Sequence, residues 1–112
     1  MSGAFPGTGR RFIATFPAFR FRLHFVSAGL LQWTRLHDDG SDAVSETVAI
    51  ASEPIADALF LVSWQESNRT TVVQVADFAR RIVRTHITRA DGSFVRARGS
   101  LGPLGDDAAA IP

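Results

Sequence analysis

Between residues 18 and 26 the chain reads AFRFRLHFV, and this strict alternation limits its possible folds more than any other feature. Phe19, Phe21, Leu23 and Phe25 fall on one face of an extended strand, while Arg20, Arg22 and His24 fall on the other. In a helix the same residues would spread their rings around the whole circumference. As a strand they give one dry face and one wet face, the pattern of an antiparallel sheet that covers a core on one side.

The period of two recurs along the chain. Further strands are predicted at 10–16 (RRFIATF), 29–37 (GLLQWTRLH), 45–55 (SETVAIASEPI), 56–66 (ADALFLVSWQE), 70–78 (TTVVQVADF), 81–88 (RIVRTHIT) and 93–101 (SFVRARGSL). Turn chemistry separates several of them, with HDDGSD at 37–42, SNR at 67–69 and ADG at 90–92. No helix-period segment exceeds two turns; VADFARRIV comes nearest, but its β-branched flanks favour strands. Short strands at intervals of roughly ten residues read as a sandwich or barrel. The expected fold is therefore all-β: a small antiparallel up-and-down β-barrel of about eight strands. Closure removes exposed edges, and an eight-stranded barrel has room for one small ligand. One domain over 10–102 is expected, with a flexible N-terminus over 1–9 and a flexible tail over 103–112.

Composition removes whole classes of chemistry. The chain has 112 residues, 46% of them hydrophobic, and a formal net charge of +1. All 12 basic residues are Arg, and there is no Lys, Cys or Tyr. Schiff-base chemistry and a phosphate-loop lysine are thus excluded. So are thiolate nucleophiles, disulfides, Cys-ligated metal sites and phenolic acids or bases. The balanced charge gives no ground for bulk attraction to nucleic acid or to a membrane surface. No apolar run approaches the roughly 18 residues of a spanning helix. MSGAFPGTGRRF lacks the apolar stretch of a signal peptide, so a cytoplasmic location is the default expectation.

The candidate site grows from one acid. In LFLVSWQES, residues 59–67, Glu66 shares strand parity with Phe60, Val62 and Trp64. If the tryptophan points inward, so does the acid, unless the strand ends at Gln65 and Glu66 reaches water at the rim. A carboxyl inside an apolar barrel loses hydration, its pKa rises, and it becomes able to donate a proton or anchor a ligand's donor. Trp33 and Trp64 offer large apolar surfaces with one N–H each. Arg35 follows Trp33 at two-residue spacing and would suit a counter-ion for Glu66 or for an anionic ligand. Gln74 shares a face with Val72 and Ala76, so its amide could face inward or outward. His24, His37 and His86 are scattered without a close-spaced pair, and no metal site is expected. Ser63 has no neighbouring base, and GTGR does not complete a dinucleotide fingerprint.

With these residues laid out, the chain resembles the MoaF-like domains of the calycin, lipocalin-like superfamily. The likeness rests on LLQWTRL, SETVAIASEPI, DALFLVSWQES, TTVVQVADF and THITRADGSF…GSL. It implies the barrel and no defined reaction. A more distant likeness is to the phenolic acid decarboxylases, through SWQE here against their SWTE. That resemblance implies a cavity-facing catalytic Glu at Glu66. It also implies two first-strand tyrosines, which fall on Ala14 and Phe16, and an essential Arg, which falls near Ala43. Two apolar residues cannot bind a carboxylate as two phenols do, so that decarboxylation is not expected.

Three readings follow. The first is a barrel binding a small hydrophobic ligand or metabolite through Trp33, Arg35, Trp64, Glu66 and Gln74, without cofactor. The second is a cofactor-independent lyase, isomerase or cyclase with Glu66 as catalytic acid or base. The third is an interaction module whose outer face, with Arg20, Arg22, Arg84, Arg96 and Arg98, meets an acidic partner. A homodimer is compatible with so small a barrel, though no residue pattern fixes an interface.

Overall fold

The computed structural model describes residues 4–105. Nine strands run in chain order: β1 (Arg10–Thr15), β2 (Arg20–Ser27), β3 (Leu30–Leu36), β4 (Asp42–Ala49), β5 (Ala51–Ala56), β6 (Leu59–Gln65), β7 (Thr71–Asp77), β8 (Ile82–Thr88) and β9 (Phe94–Pro103). All pairings are antiparallel, in the order β4-β3-β2-β1-β9-β8-β7-β6-β5. The two edge strands, β4 and β5, are consecutive in the chain, so the sheet curls until its edges meet.

The expected run 45–55 is one extended segment that serves two neighbours. Its first half pairs with β3, with Ala49 opposite Leu30, and its second half pairs with β6, with Ala51 opposite Ser63. Ile50 is the switch point. Its N–H donates to the Gly29 carbonyl, and the Ser52 hydroxyl donates to the Ala28 carbonyl, so the β2–β3 turn holds the crossing. Eight expected runs thus become nine strands through one change of partner, and the small up-and-down barrel stands.

The alternation of β2 becomes the barrel wall. Leu23 and Phe25 are buried, while one guanidinium nitrogen of Arg22 reaches across to donate to both carboxylate oxygens of Asp42, at 3.0 and 3.1 Å. At one end the interior is filled by rings. Phe5, Phe12, Phe25, Phe60 and Phe78 pack largely edge to face, with centroids 5.0–6.4 Å apart. Edge-to-face geometry is the favoured arrangement of aromatic quadrupoles.

Phe5, which precedes the expected domain of 10–102, is only 7% exposed and touches three other rings of the plug. A single Phe flanked by Gly and Pro has no periodicity to reveal that it is core. Gly9 then starts the barrel, donating its N–H to the Phe25 carbonyl. At the other terminus β9 runs to Pro103, and the Leu104 N–H meets the Arg11 carbonyl. Residues 1–3 and 106–112, the rest of the expected flexible ends, lie outside the described residues.

The opposite end is ringed by three turns of one design: HDDGS (37–41), ESNRT (66–70) and RADGS (89–93). In each, the first residue's N–H meets the fifth residue's carbonyl, and the fourth residue's N–H meets the first residue's carbonyl. In each, the third residue is Asp39, Asn68 or Asp91, whose side chain accepts the N–H of Ser41, Thr70 or Ser93. The fourth residue has positive φ; it is Gly40 or Gly92 in two turns and Arg69 in the third. Left-handed backbone disfavours a Cβ, so Arg69 holds mild strain at this rim.

Candidate functional site

Passing along the inward face of each strand leads from the phenylalanine plug to a cavity. On β2 the order is Phe25, Leu23, Phe21; on β6 it is Phe60, Val62, Trp64; on β7 it is Ala76, Gln74, Val72. Beyond the plug the side chains no longer fill the barrel, and a cavity of about 470 Å³ opens toward the three-turn rim. Its aromatic walls come from Phe16, Phe19, Phe21, Trp33 and Trp64. Volumes of about 300–1,000 Å³ are typical of sites for small organic molecules.

All five expected site residues, Trp33, Arg35, Trp64, Glu66 and Gln74, line this cavity. Glu66 combines the two arrangements left open by its sequence. β6 does end at Gln65, and Glu66 opens the ESNRT turn. Its side chain nevertheless folds back along the cavity wall, where Oε2 accepts the Trp64 indole N–H at 3.1 Å. Partial burial pushes its pKa up by desolvation. The Trp64 hydrogen bond opposes this, and the negative charge of Glu46 adds to it.

The direction has a measurable consequence. A carboxyl whose pKa is higher folded than unfolded binds more protons in the native state. Its contribution therefore favours folding as pH falls through its titration, and fades at neutral pH. Asp39, Asp77 and Asp91 are shifted down by local hydrogen bonds and act in the opposite sense. The wild type should accordingly gain stability relative to Glu66→Gln as pH drops from neutral toward the usual carboxyl range. Paired denaturant melts across that range provide the check; a pH-independent difference would remove the shift.

Arg35 and Glu66 share the mouth but do not pair. Arg35 is exposed, and among the described residues it makes no ion pair. The sequence expectation of Arg35 as the counter-ion of Glu66 is thus not met, because the two lie on β3 and beyond β6, across the seam. Glu46 fills the seam instead: its Oε2 accepts the Ser67 N–H at 2.9 Å, tying β4 to the β6–β7 turn. Deeper in the wall, Trp33 is 8% and Gln74 is 4% exposed. The Trp33 Nε1 and Gln74 Nε2 atoms are buried without a hydrogen-bond partner.

Glu46, Thr85 and Arg89 also line the cavity and were not among the expected site residues. Parity carried the signal for each: Glu46 alternates with Val48, and Thr85 and Arg89 continue the inward series of Val83 and Ile87. Ala14 and Phe16 line the cavity as well, so the positions of the decarboxylases' tyrosines carry apolar side chains that face the site.

The arginines of the outer face separate into two groups. Arg22 pairs with Asp42, and Arg20 donates to the His37 and Asp38 carbonyls. Arg84 stands directly opposite Arg98, and Arg96 opposite His86, with Arg96 5.6 Å from the Phe94 ring centre. Among the described residues no group of His, Cys, Asp and Glu is placed to hold a metal ion. No helix there is long and apolar enough to cross a membrane.

Together these features define a small up-and-down β-barrel with one plugged end and one open, aromatic-walled cavity. The MoaF-like family model matches residues 8–102, and the chain belongs to that family. A solved crystal structure from Burkholderia vietnamiensis, of a protein provisionally described as a beta-lactamase, is similar throughout. It superposes with a TM-score of 0.82 at 25% identity, covering 92% of this chain and 100% of its own. A search of curated proteins gives no match.

Proposed function

We propose that this protein binds a small, mostly apolar molecule in the barrel cavity, with Glu66 as its central acid. The observation that carries the reading is the cavity itself. One half of the interior is packed solid by five phenylalanines, while the other half, built on the same strands, leaves about 470 Å³ between aromatic walls. A core that needed only stability would close both halves, since interiors pack to crystal-like density. At the mouth two carboxylates are held in place, Glu66 by the Trp64 N–H and Glu46 by the Ser67 N–H, as oriented polar groups are in ligand sites.

A second reading, a cofactor-independent lyase, isomerase or cyclase, draws on the raised pKa of Glu66. A half-buried carboxyl beside an indole is suited to proton transfer. A pH–rate profile that tracks Glu66 would favour catalysis; saturable binding with no product would favour a carrier. The lactamase description of the structural neighbour finds little support in these side chains. The serine enzymes of that kind use a Ser-x-x-Lys lysine, and the chain has no Lys.

The binding reading is tested by native mass spectrometry of the protein purified from its own source. One non-covalent small-molecule adduct per chain, released on collisional activation, is the expected result. A bare chain that also fails to bind any molecule saturably from that extract would refute it.

A further inference from the structure

The outside of the barrel carries a block of basic side chains. β8 and β9 pair so that Arg84 lies directly opposite Arg98, and His86 directly opposite Arg96. All four are exposed, at outward positions of their strands, and none lines the cavity. On β7 the residues opposite His86 and Arg84 are Val73 and Val75, so no acid offsets the charge on that side. Among the described residues Arg84 and Arg98 make no ion pair or side-chain hydrogen bond. The net charge of +1 conceals this concentration: residues 79–105 hold six arginines and a single acid, Asp91, which belongs to a rim turn.

Like charges placed directly opposite in a sheet are destabilising, so the block costs the fold something and gives it nothing in return. Beside it stands an exposed ring. Phe94, 53% exposed, is the next outward residue of β9 before Arg96. Its ring meets the His86 ring edge to face with centres 5.6 Å apart, and the Arg96 guanidinium lies over it at 5.6 Å. Arginines beside an exposed ring on an open strand surface are the two components of single-strand recognition: cations for phosphates, and a π-face on which a base stacks. An acidic peptide would use the arginines and leave Phe94 in water. A duplex would offer phosphates but keep its bases stacked inside itself, and a free mononucleotide would offer one phosphate to three arginines. Arg96 and Arg98 stand two residues apart on one strand, about 6.8 Å, close to the spacing of successive phosphates in an extended single strand. We infer that the β8–β9 face binds single-stranded nucleic acid, with Arg84, Arg96 and Arg98 on phosphates and Phe94 stacked against a base.

Fluorescence anisotropy of the full chain with fluorescein-labelled dodecathymidylate tests this. Saturable binding is expected, with log K falling against log salt at a slope of about −2, because three cations each displace about 0.7 counter-ion from a single strand. Arg84→Gln or Arg98→Gln should weaken binding and flatten that slope by about 0.7. Phe94→Ala should weaken binding at least about fivefold and leave the slope unchanged. These positions are exposed, so circular dichroism should show each variant folded, with Arg84→Gln at least as stable as the parent. Arg80→Gln removes the same charge from the β7–β8 turn and should bind nearly as the parent does, since at about 0.1 M salt exposed charges are screened over about 10 Å. No saturable binding would overturn the inference, as would full affinity in Phe94→Ala. Equal binding of oligoglutamate, of a duplex of the same length or of thymidine monophosphate would overturn it too. A loss in Arg80→Gln matching that in Arg98→Gln would do the same, by marking charge attraction with no fixed site. The cavity plays no part in any of these measurements, so the binding reading above stands or falls separately.

Discussion

Phe25→Ala is expected to destabilise the protein by about 3–5 kcal/mol, the usual cost of removing a buried phenylalanine. Phe25 has no exposed surface and lies within 5.0–6.3 Å of the Phe5, Phe12 and Phe78 rings. Its backbone carbonyl also accepts the Gly9 N–H that starts the barrel. The hole left by the ring would be bounded by other rings fixed on separate strands, so little collapse can offset the loss. Small domains are stable by about 5–15 kcal/mol in total, so this single change consumes a large share. At about 4 °C or more per kcal/mol, the melting temperature should fall by roughly 12 °C or more. A cost below about 1 kcal/mol would mean that the plug is not the core of the fold.

Gly99→Ala is the second large effect, and its cause is backbone rather than packing. Gly99 lies on β9 opposite Val83, where an inward side chain belongs. A Cβ built there would overlap the Thr15 carbonyl oxygen and stand 2.8 Å from a Phe16 ring carbon. A side chain can rotate away, but the Thr15 carbonyl belongs to the β1–β9 pairing, where Thr15 faces Ser100. One methyl group would therefore push β1 off β9 and open the barrel wall beside the cavity. The cost should reach or exceed the upper part of the ~1–3 kcal/mol range for overpacking. Circular dichroism melts and amide exchange at Ile13 and Thr15 report it; a variant with wild-type protection there would contradict the close approach.

How much of this was legible in the sequence depends on which physical signal each feature leaves. The strands of β2, β6 and β7 were legible because burial on one side forces a period of two, and the structure keeps that parity through Phe25, Trp64 and Gln74. The turns HDDGS and RADGS were legible because Asp-Gly supplies both a side-chain acceptor and a residue tolerant of positive φ. ESNRT was harder, since Arg69 occupies the position that glycine marks in the other two.

The change of partner at Ile50 left no trace, because both halves of the segment are extended and a strand's sequence does not name its neighbour. Phe5 was hidden for a similar reason: burial of one isolated ring has no period. Glu66 was legible to the extent that parity aligned it with Trp64, and ambiguous to the extent that a strand end and an inward side chain predict the same alternation. The failure of Arg35 to meet Glu66 reflects the seam, which places β3 and the β6–β7 turn on either side of β4. The cavity was beyond reach altogether, because alternation says which residues point inward and not whether they fill the space.

The central claim is that the space beyond the phenylalanine plug is the binding site, and it is tested most directly by filling it. Ala14 lies on the cavity wall at 1% exposure, one step from Phe12 toward the mouth. Ala14→Phe would occupy the inner cavity, with a stability cost of about 1–3 kcal/mol. The measurement is native mass spectrometry of wild type and Ala14→Phe after equal exposure to the same source extract, with circular dichroism confirming that both are folded. The account predicts one small-molecule adduct per wild-type chain and none on the folded variant. An adduct retained by Ala14→Phe at wild-type stoichiometry would place the ligand elsewhere and contradict it.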